Sequence, residues 1–260
     1  MIARATRLLA PFGVGLLLLS AWQAAVYWYE LPPFVLPSPY LIAKTLATDF
    51  ATLLPSWLVT IKITLLAFLG AASGGLLLSL LLASSPILER SLFPYAVILQ
   101  VTPIVAIAPL IIIWAKNTTL ALFICAWIVA FFPIVSNTVT GLNSATANLR
   151  DLFKLYGASR WQTLFWLRLP SALPYFLAGL RISGGLALIG AVVAEFVAGT
   201  GGTESGLAYR ILESAYRLRI PRVFAALVLI SATGLFIFGL LSLVSRYLLR
   251  HWDESAGDPH

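Results

Sequence analysis

Chemistry-bearing side chains are scarce in this chain, and their spacing excludes most kinds of catalysis. Both histidines, His251 and His260, lie in the polar stretch after the last apolar run, so neither a Ser–His pair nor a histidine metal cluster can form around a pocket. Cys125 is the single cysteine and sits inside an apolar run, which rules out a disulfide framework within one chain. Gly199–Gly206 has the glycines of a phosphate-cradling loop but no lysine, and it carries Glu204, whose charge repels phosphate. The chain therefore cannot be an ATPase by itself.

Two other sets of residues remain. The first lies inside apolar runs: the ionisable Arg181, Glu195 and Lys62, and the neutral polar Gln100, Thr102, Asn137 and Thr138 beside Pro103 and Pro133. A charge at a helix centre in hydrocarbon costs about 2.5–3.5 kcal/mol on insertion scales, so such groups must face protein or water. They line a polar pathway, or they serve as ion pairs and as glue between helices; both readings stay open. The second set runs from Arg150 to Pro170. Its pattern is amphipathic and basic, broken by Gly157, and reads as a short helix, a turn and a second helix held at a Pro170 corner. Leu152, Leu155 and Leu164 offer an apolar face to a partner's cleft, and Gly157 supplies a turn at low steric cost.

Composition says what must carry these residues. With 60% hydrophobic residues, 10% charged residues and a mean hydropathy of +0.94, the chain lies far from soluble domains, in which about 25% of residues are charged. The apolar runs are continuous rather than alternating, so the spans are helices of about 20 residues and not barrel strands. The net charge of +7 is spread over short loops, leaving no basic, aromatic-interleaved patch for nucleic acid.

Along the chain, Arg4 and Arg7 precede a first span from Leu8 to about Tyr29. A signal peptide begins in the same way, but no small-x-small cleavage site follows, and the run reads as a retained helix. The proline-rich Leu31–Pro39 connects to an amphipathic surface helix from Pro39 to about Leu54, capped by Ser38. Span two covers about Trp57–Ala83 with a small-residue face at Gly70–Gly74. Span three, about Leu92–Trp114, is kinked or interrupted by Pro103 and Pro109. Span four runs from about Thr119 to Leu142 and span five from Ser171 to about Ala198, where Gly190, Ala194 and Ala198 form a second small stripe. A glycine-rich turn, Gly199–Gly206, leads to an amphipathic helix over about Leu207–Arg219, then to span six from Pro221 to near Leu249 and a polar tail, 250–260. The expectation is one all-α integral membrane domain, 1–260, built as a six-helix bundle.

Six spans put both termini and the central segment on one side. Arg4, Arg7, Arg90, Arg150, Lys154, Arg160, Arg168, Arg246 and Arg250 lie there, against Lys44, Lys116, Arg210, Arg217, Arg219 and Arg222 opposite. This bias places the termini and the central segment in the cytoplasm.

The central segment resembles the EAA loop of ABC importer permeases. Asp151 stands in the acidic place, Gly157 in the glycine's, and Leu167, Leu169 and Pro170 match the terminal Ile-x-Leu-Pro. Gln100-Val101-Thr102-Pro103, Ala106–Leu110, Phe131-Phe132-Pro133 with Asn137-Thr138, Gly179-Leu180-Arg181 and Val193-Ala194-Glu195 look like landmarks of the nitrate, sulfonate and taurine type of these permeases, and they extend the resemblance over roughly Leu36–Leu249. Two departures stand out. Leu152 and Phe153 replace two small residues, and Trp114-Ala115-Lys116-Asn117 stands where Trp-Phe-Gly is usual.

The resemblance implies the small (type I) importer permease fold with its core over about 57–249. It also implies a homodimer in the bacterial inner membrane with two ATPase subunits and a periplasmic solute-binding protein. This chain would bind no cofactor, ATP and Mg being used by the partner ATPase. The coupling loop, 150–170, would dock that ATPase through Asp151, Leu152, Leu155, Gly157, Ala158, Arg160, Leu169 and Pro170. Gln100, Thr102, Asn137, Thr138, Arg181 and Glu195 are the candidates for the translocation pathway. The solute would be a sulfonate-, nitrate- or taurine-like anion, or a pyrimidine or vitamin precursor. The rival readings are an ATP-independent secondary transporter or channel, which needs internal repeats and buried coupling charges, and a membrane-embedded enzyme, which needs a polar catalytic cluster at one interface.

Overall fold

The computed structural model describes residues 2–198 and 205–250, with side chains from Ala10 onward. Most of the glycine-rich turn and the tail beyond Arg250 lie outside the described residues. The described chain is helical: α1 (Ile2–Trp28), α2 (Pro39–Thr48), α3 (Phe50–Ser84), α4 (Pro86–Val101), α5 (Ile104–Ala115), α6 (Thr118–Asn143), α7 (Ala147–Leu155), α8 (Arg160–Thr163), a π-helical turn (Leu164–Arg168), α9 (Leu169–Ala198), α10 (Leu207–Tyr216) and α11 (Ile220–Leu249). Among the described residues five helices are long and apolar enough to cross a membrane, and a sixth span results if α4 and α5, bent by 98°, count as one. The six-span expectation holds in this form. One end of the bundle carries α7 and the other α10.

Lipid tails are as apolar as leucine, so helices in a bilayer associate by close approach rather than by escaping water. The pair α6 and α9 shows this. A Cβ at Gly141 would come within 2.8 Å of Ala172 Cα, one at Gly190 within 2.9 Å of Ala126 Cα, and one at Gly179 within 3.1 Å of the Pro133 carbonyl. The two helices run antiparallel at near-backbone contact, and Ser183 donates from Oγ to the Ala130 carbonyl at 2.6 Å. Helix α3 runs parallel to α6 on its other side, and a Cβ at Gly75 would meet Ile134 Cγ2 at 2.9 Å. Buried Ile63, Ala67, Cys125, Ala126, Ala191 and Ala194 fill the layer toward the α10 end, and Ala71, Ala130, Phe131, Ile134 and Ala187 the middle. Helix α11 closes the side of α9, tied to α3 by Trp57 Nε1 donating to Thr233 Oγ1 at 2.7 Å.

Two local details differ from the sequence reading, and a third sharpens it. The surface helix stops at Thr48, and α3 starts at Phe50 rather than Trp57. Asp49 makes the break: its N–H caps α2 on the Thr45 carbonyl, its own carbonyl takes the first α3 amides, and its Oδ2 accepts from Arg222 Nε at 2.6 Å. Span three is interrupted, one of the two forms that its prolines led us to expect. Thr102, the residue before Pro103, is extended (φ −71°, ψ 122°) because the proline ring disfavours the helical region there. Pro170 is no corner. It is the second residue of α9, which continues from α8 through the π turn, and its missing N–H leaves the Trp166 carbonyl without the usual partner. The helix absorbs that loss as the π turn, in which Leu169 N donates to the Leu164 carbonyl.

Candidate functional site

Helix α7 has no buried residue, and it ends on two devices that fix the direction of the chain. Gly157 takes φ 65°, Ala158 N donates to the Phe153 carbonyl at 2.9 Å, and Gly157 N to the Lys154 carbonyl at 3.0 Å. These two bonds are a complete Schellman closure. At once Ser159 opens α8 through a capping box: its Oγ accepts from Gln162 N at 3.2 Å while Gln162 Oε1 accepts from Ser159 N at 2.7 Å. Only Gly157 and Ala158 separate the C-cap of one helix, Tyr156, from the N-cap of the next, so the elbow is rigid. A side chain at Gly157 would meet open space, and the constraint on that position is the left-handed backbone alone.

The elbow presents apolar surface outward. Leu155 is 82% exposed and Tyr156 81%, with Leu152 and Trp166 also exposed. Trp161 stacks on Phe165 at a centroid distance of 6.1 Å. Asp151 accepts from Lys154 Nζ at 3.1 Å, but both side chains are well exposed, and such a pair contributes about 0–1 kcal/mol. Arg160 and Pro170 are exposed; Ala158 and Leu169 are half-buried.

The residue that ties the elbow to the bundle was read from sequence only as a topology charge. Arg168, in the π turn, donates from Nε to the Leu142 carbonyl at 2.9 Å, from Nη1 to the Ala83 carbonyl at 2.7 Å and from Nη2 to Asn143 Oδ1 at 2.7 Å. Asn143 in turn donates to Glu89 Oε1 at 3.1 Å. One guanidinium thus sits on the C-terminal carbonyls of α3 and α6, where the helix dipoles favour a cation. The Ser159-x-x-Gln162 spacing was a legible cap signal; for Arg168 the sequence offered only its place before Leu169-Pro170.

The intramembrane polar candidates are not brought together in one cluster. Thr138 is buried and donates to the Ile134 carbonyl at 2.5 Å, and half-buried Asn137 donates to the Pro133 carbonyl at 2.7 Å beside Gly179. Gln100 is exposed on α4, and Thr102 Oγ1 donates back to the Ile98 carbonyl at 2.7 Å at the break. Glu195 is 3% exposed at the α10 end. Its Oε2 accepts from Ala208 N at 3.1 Å and lies 3.1 Å from Thr60 Oγ1, while Thr60 Oγ1 accepts from Leu207 N at 2.9 Å. Together they satisfy the first amides of α10, and any side chain at Gly206 would overlap the carboxylate. Arg181 behaves differently: its Nε is buried with no partner. Lys62 is exposed on α3, two residues beyond Thr60.

At the same end, α10 carries an ion network. Arg210 Nε donates to Ser56 Oγ at 3.0 Å, Arg210 Nη1 pairs with Glu213 at 2.9 Å, and Arg217 pairs with Glu213 at 3.1 Å. The Arg210 hydrogen bond, with the charges of Arg210, Arg217 and Arg222, holds the Glu213 carboxyl below its ordinary value against the opposing effect of burial. The helix closes on Leu218, whose φ of 55° is left-handed, leaving Tyr216 and Leu218 exposed.

Residues 75–251 match the family model described as the binding-protein-dependent transport system inner membrane component. The chain belongs to this family: it is a membrane-spanning permease subunit of an ABC importer, and the family implies an ATPase and a solute-binding protein as partners. It is similar to the riboflavin transport system permease protein RibX of Chloroflexus aurantiacus, at 36% identity over 92% of this chain and 88% of that one. It is also similar to the formylaminopyrimidine transport permease protein ThiX of Halalkalibacterium halodurans, at 32% identity over 95% and 97%. Among solved structures, a chain from the crystal structure of an amino acid ABC transporter with histidines superposes with a TM-score of 0.64 and 18% identity, over 77% of this chain and 96% of that one, a likeness of fold alone.

Proposed function

We propose that two copies of this chain form the permease of an importer in the bacterial inner membrane, with the elbow and both termini in the cytoplasm. Two ATPase subunits, which use ATP and Mg, grip Asp151–Arg160 through Leu152, Leu155 and Gly157. A periplasmic solute-binding protein docks at the α10 end and delivers a small solute of the sulfonate, nitrate, taurine, pyrimidine or vitamin-precursor kind. The six-span chain is too small to enclose a pore comfortably, so the pathway lies at a two-fold interface. On this reading Gln100, Thr102 and Arg181 border the pathway, while Asn137, Thr138 and Glu195 hold the helices that frame it.

The observation that carries the reading is the rigid, apolar elbow stapled by Arg168 to the ends of α3 and α6. Motion of a subunit gripping α7 reaches three spanning helices without passing through a flexible joint, and a bistable bundle can convert it into alternating access. A secondary transporter has no use for such a surface. The test is affinity purification of the tagged chain from its own membranes. Gly157→Val forces a β-branched residue to φ 65° and costs about 1–2 kcal/mol locally. The expected result is loss of the ATPase subunit at unchanged permease yield. Full retention of the ATPase by the variant contradicts the docking assignment.

A further inference from the structure

Arg181 lies at the middle of the bilayer, although it is only ten residues beyond Ser171. Ala130 is central in α6 and Ser183 central in α9, and the hydrogen bond between them sets the midplane. Arg181 is two residues away, about 3 Å along the axis, and so about 12 Å from the nearer edge of the hydrocarbon. Snorkelling serves residues near helix ends and does not rescue this one.

Among the described residues no carboxylate lies near enough to neutralise it. Among the described acids, Glu30, Asp49, Glu195 and Glu213 lie at the α10 end, and Glu89 and Asp151 at the α7 end. The other four, Glu204 and three beyond Arg250, follow the ends of α9 and α11 in sequence. A second copy related by a two-fold axis has the same distribution and would add only another guanidinium. Arginine stays charged under all relevant conditions, so the group must meet water or an acceptor-bearing guest.

The surroundings leave room for one. Gly184 packs tightly on Leu241 and Ile237 of α11, but Gly185, one turn from Arg181 on its open flank, has nothing within 4 Å of where a Cβ would sit. Ser242, which follows Leu241, has a buried hydroxyl with no partner.

We infer that Arg181 faces a water-filled pathway at the membrane midplane and there presents its N–H fork to acceptor oxygens of the passing solute, excluding cations. This rests on the importer reading and names its solute class: neutral or anionic molecules with oxygen acceptors within reach of a guanidinium fork, such as a carbonyl, nitrate or sulfonate group.

The test needs no knowledge of the solute. In the assembled importer, Cys125→Ala removes the native thiol and Gly185→Cys places one beside Arg181. Modification by an anionic reagent, sulfonatoethyl methanethiosulfonate, and a cationic one, trimethylammonioethyl methanethiosulfonate, is timed with and without ATP, each rate normalised to a small thiol in solution. The anionic reagent is expected to be favoured about tenfold, since a unit charge a few ångströms away acts on the reagent's own charge. Arg181→Lys retains the preference, and Arg181→Gln abolishes it. Failure of both reagents to react in any nucleotide state, or a preference unchanged by Arg181→Gln, overturns the inference. If Arg181→Gln does not assemble, Arg181→Met serves as the neutral variant under the same criterion, and equal rates for the two reagents with Arg181 in place overturn the inference by themselves. Rates that ignore ATP contradict the importer cycle instead, leaving Arg181 in water.

Discussion

Two single residues show how the backbone constrains this chain. Gly157 and Lys116 both occupy left-handed conformations, at φ 65° and 51°, and only one of them is a glycine. Lys116 stands where the resembling permeases have the glycine of Trp-Phe-Gly, and it closes α5 at a cost that glycine would not incur. Lys116→Gly should therefore stabilise the purified protein by about 1 kcal/mol, read as a rise in its thermal midpoint; an unchanged or lowered midpoint removes the strain argument. Gly157 was legible because a lone glycine breaks an amphipathic polar stretch. Nothing in the sequence marked Leu218 as left-handed, since the fold imposes that conformation on an ordinary side chain. Glu213 gives a pH dependence. Its native pKa is lowered, chiefly by the Arg210 hydrogen bond. Its stabilising effect is thus complete above the unfolded carboxylate value of about 4.3 and disappears as pH falls through the lowered native value. Amide exchange in α10 should accelerate on acidification through that window, and Glu213→Gln should flatten the response.

Among elements, the spans were readable because continuous apolar runs admit little but helices, and the interruption of span three was readable from Pro103. The boundary at Asp49 was not, because it depends on a charge pair with Arg222, 173 residues away. The continuity of α8, the π turn and α9 was hidden for a related reason. A proline suggests a corner, yet the freed carbonyl was accommodated by widening one helical turn. What makes this piece useful is Arg168, whose three hydrogen bonds join it to α3 and α6. Arg168→Ala should leave ATPase docking intact while uncoupling it, so that ATP is hydrolysed with solute uptake reduced by at least about tenfold, a loss comparable to one charged hydrogen bond of about 1.5–3 kcal/mol. The ratio of uptake to hydrolysis in reconstituted vesicles measures this, and an unchanged ratio assigns Arg168 to stability alone.

At the scale of the molecule, the chain is a transmission. A tightly packed centre of α3, α6 and α9 connects an apolar elbow at one end to an ion-paired helix at the other, and among the described residues no cluster of metal-binding side chains lies between them. The composition made the membrane legible, whereas the place of Arg181 beside the Ser183–Ala130 contact needed the register of α9 on α6. The most direct test of the whole account is a photo-reactive amino acid at Leu155, the most exposed leucine of α7, activated in intact cells. The account predicts one dominant cross-link, to a cytoplasmic nucleotide-binding subunit, that changes in yield when ATP is depleted. Cross-links to lipid or to a protein outside the inner membrane, with none to an ATPase, would contradict it.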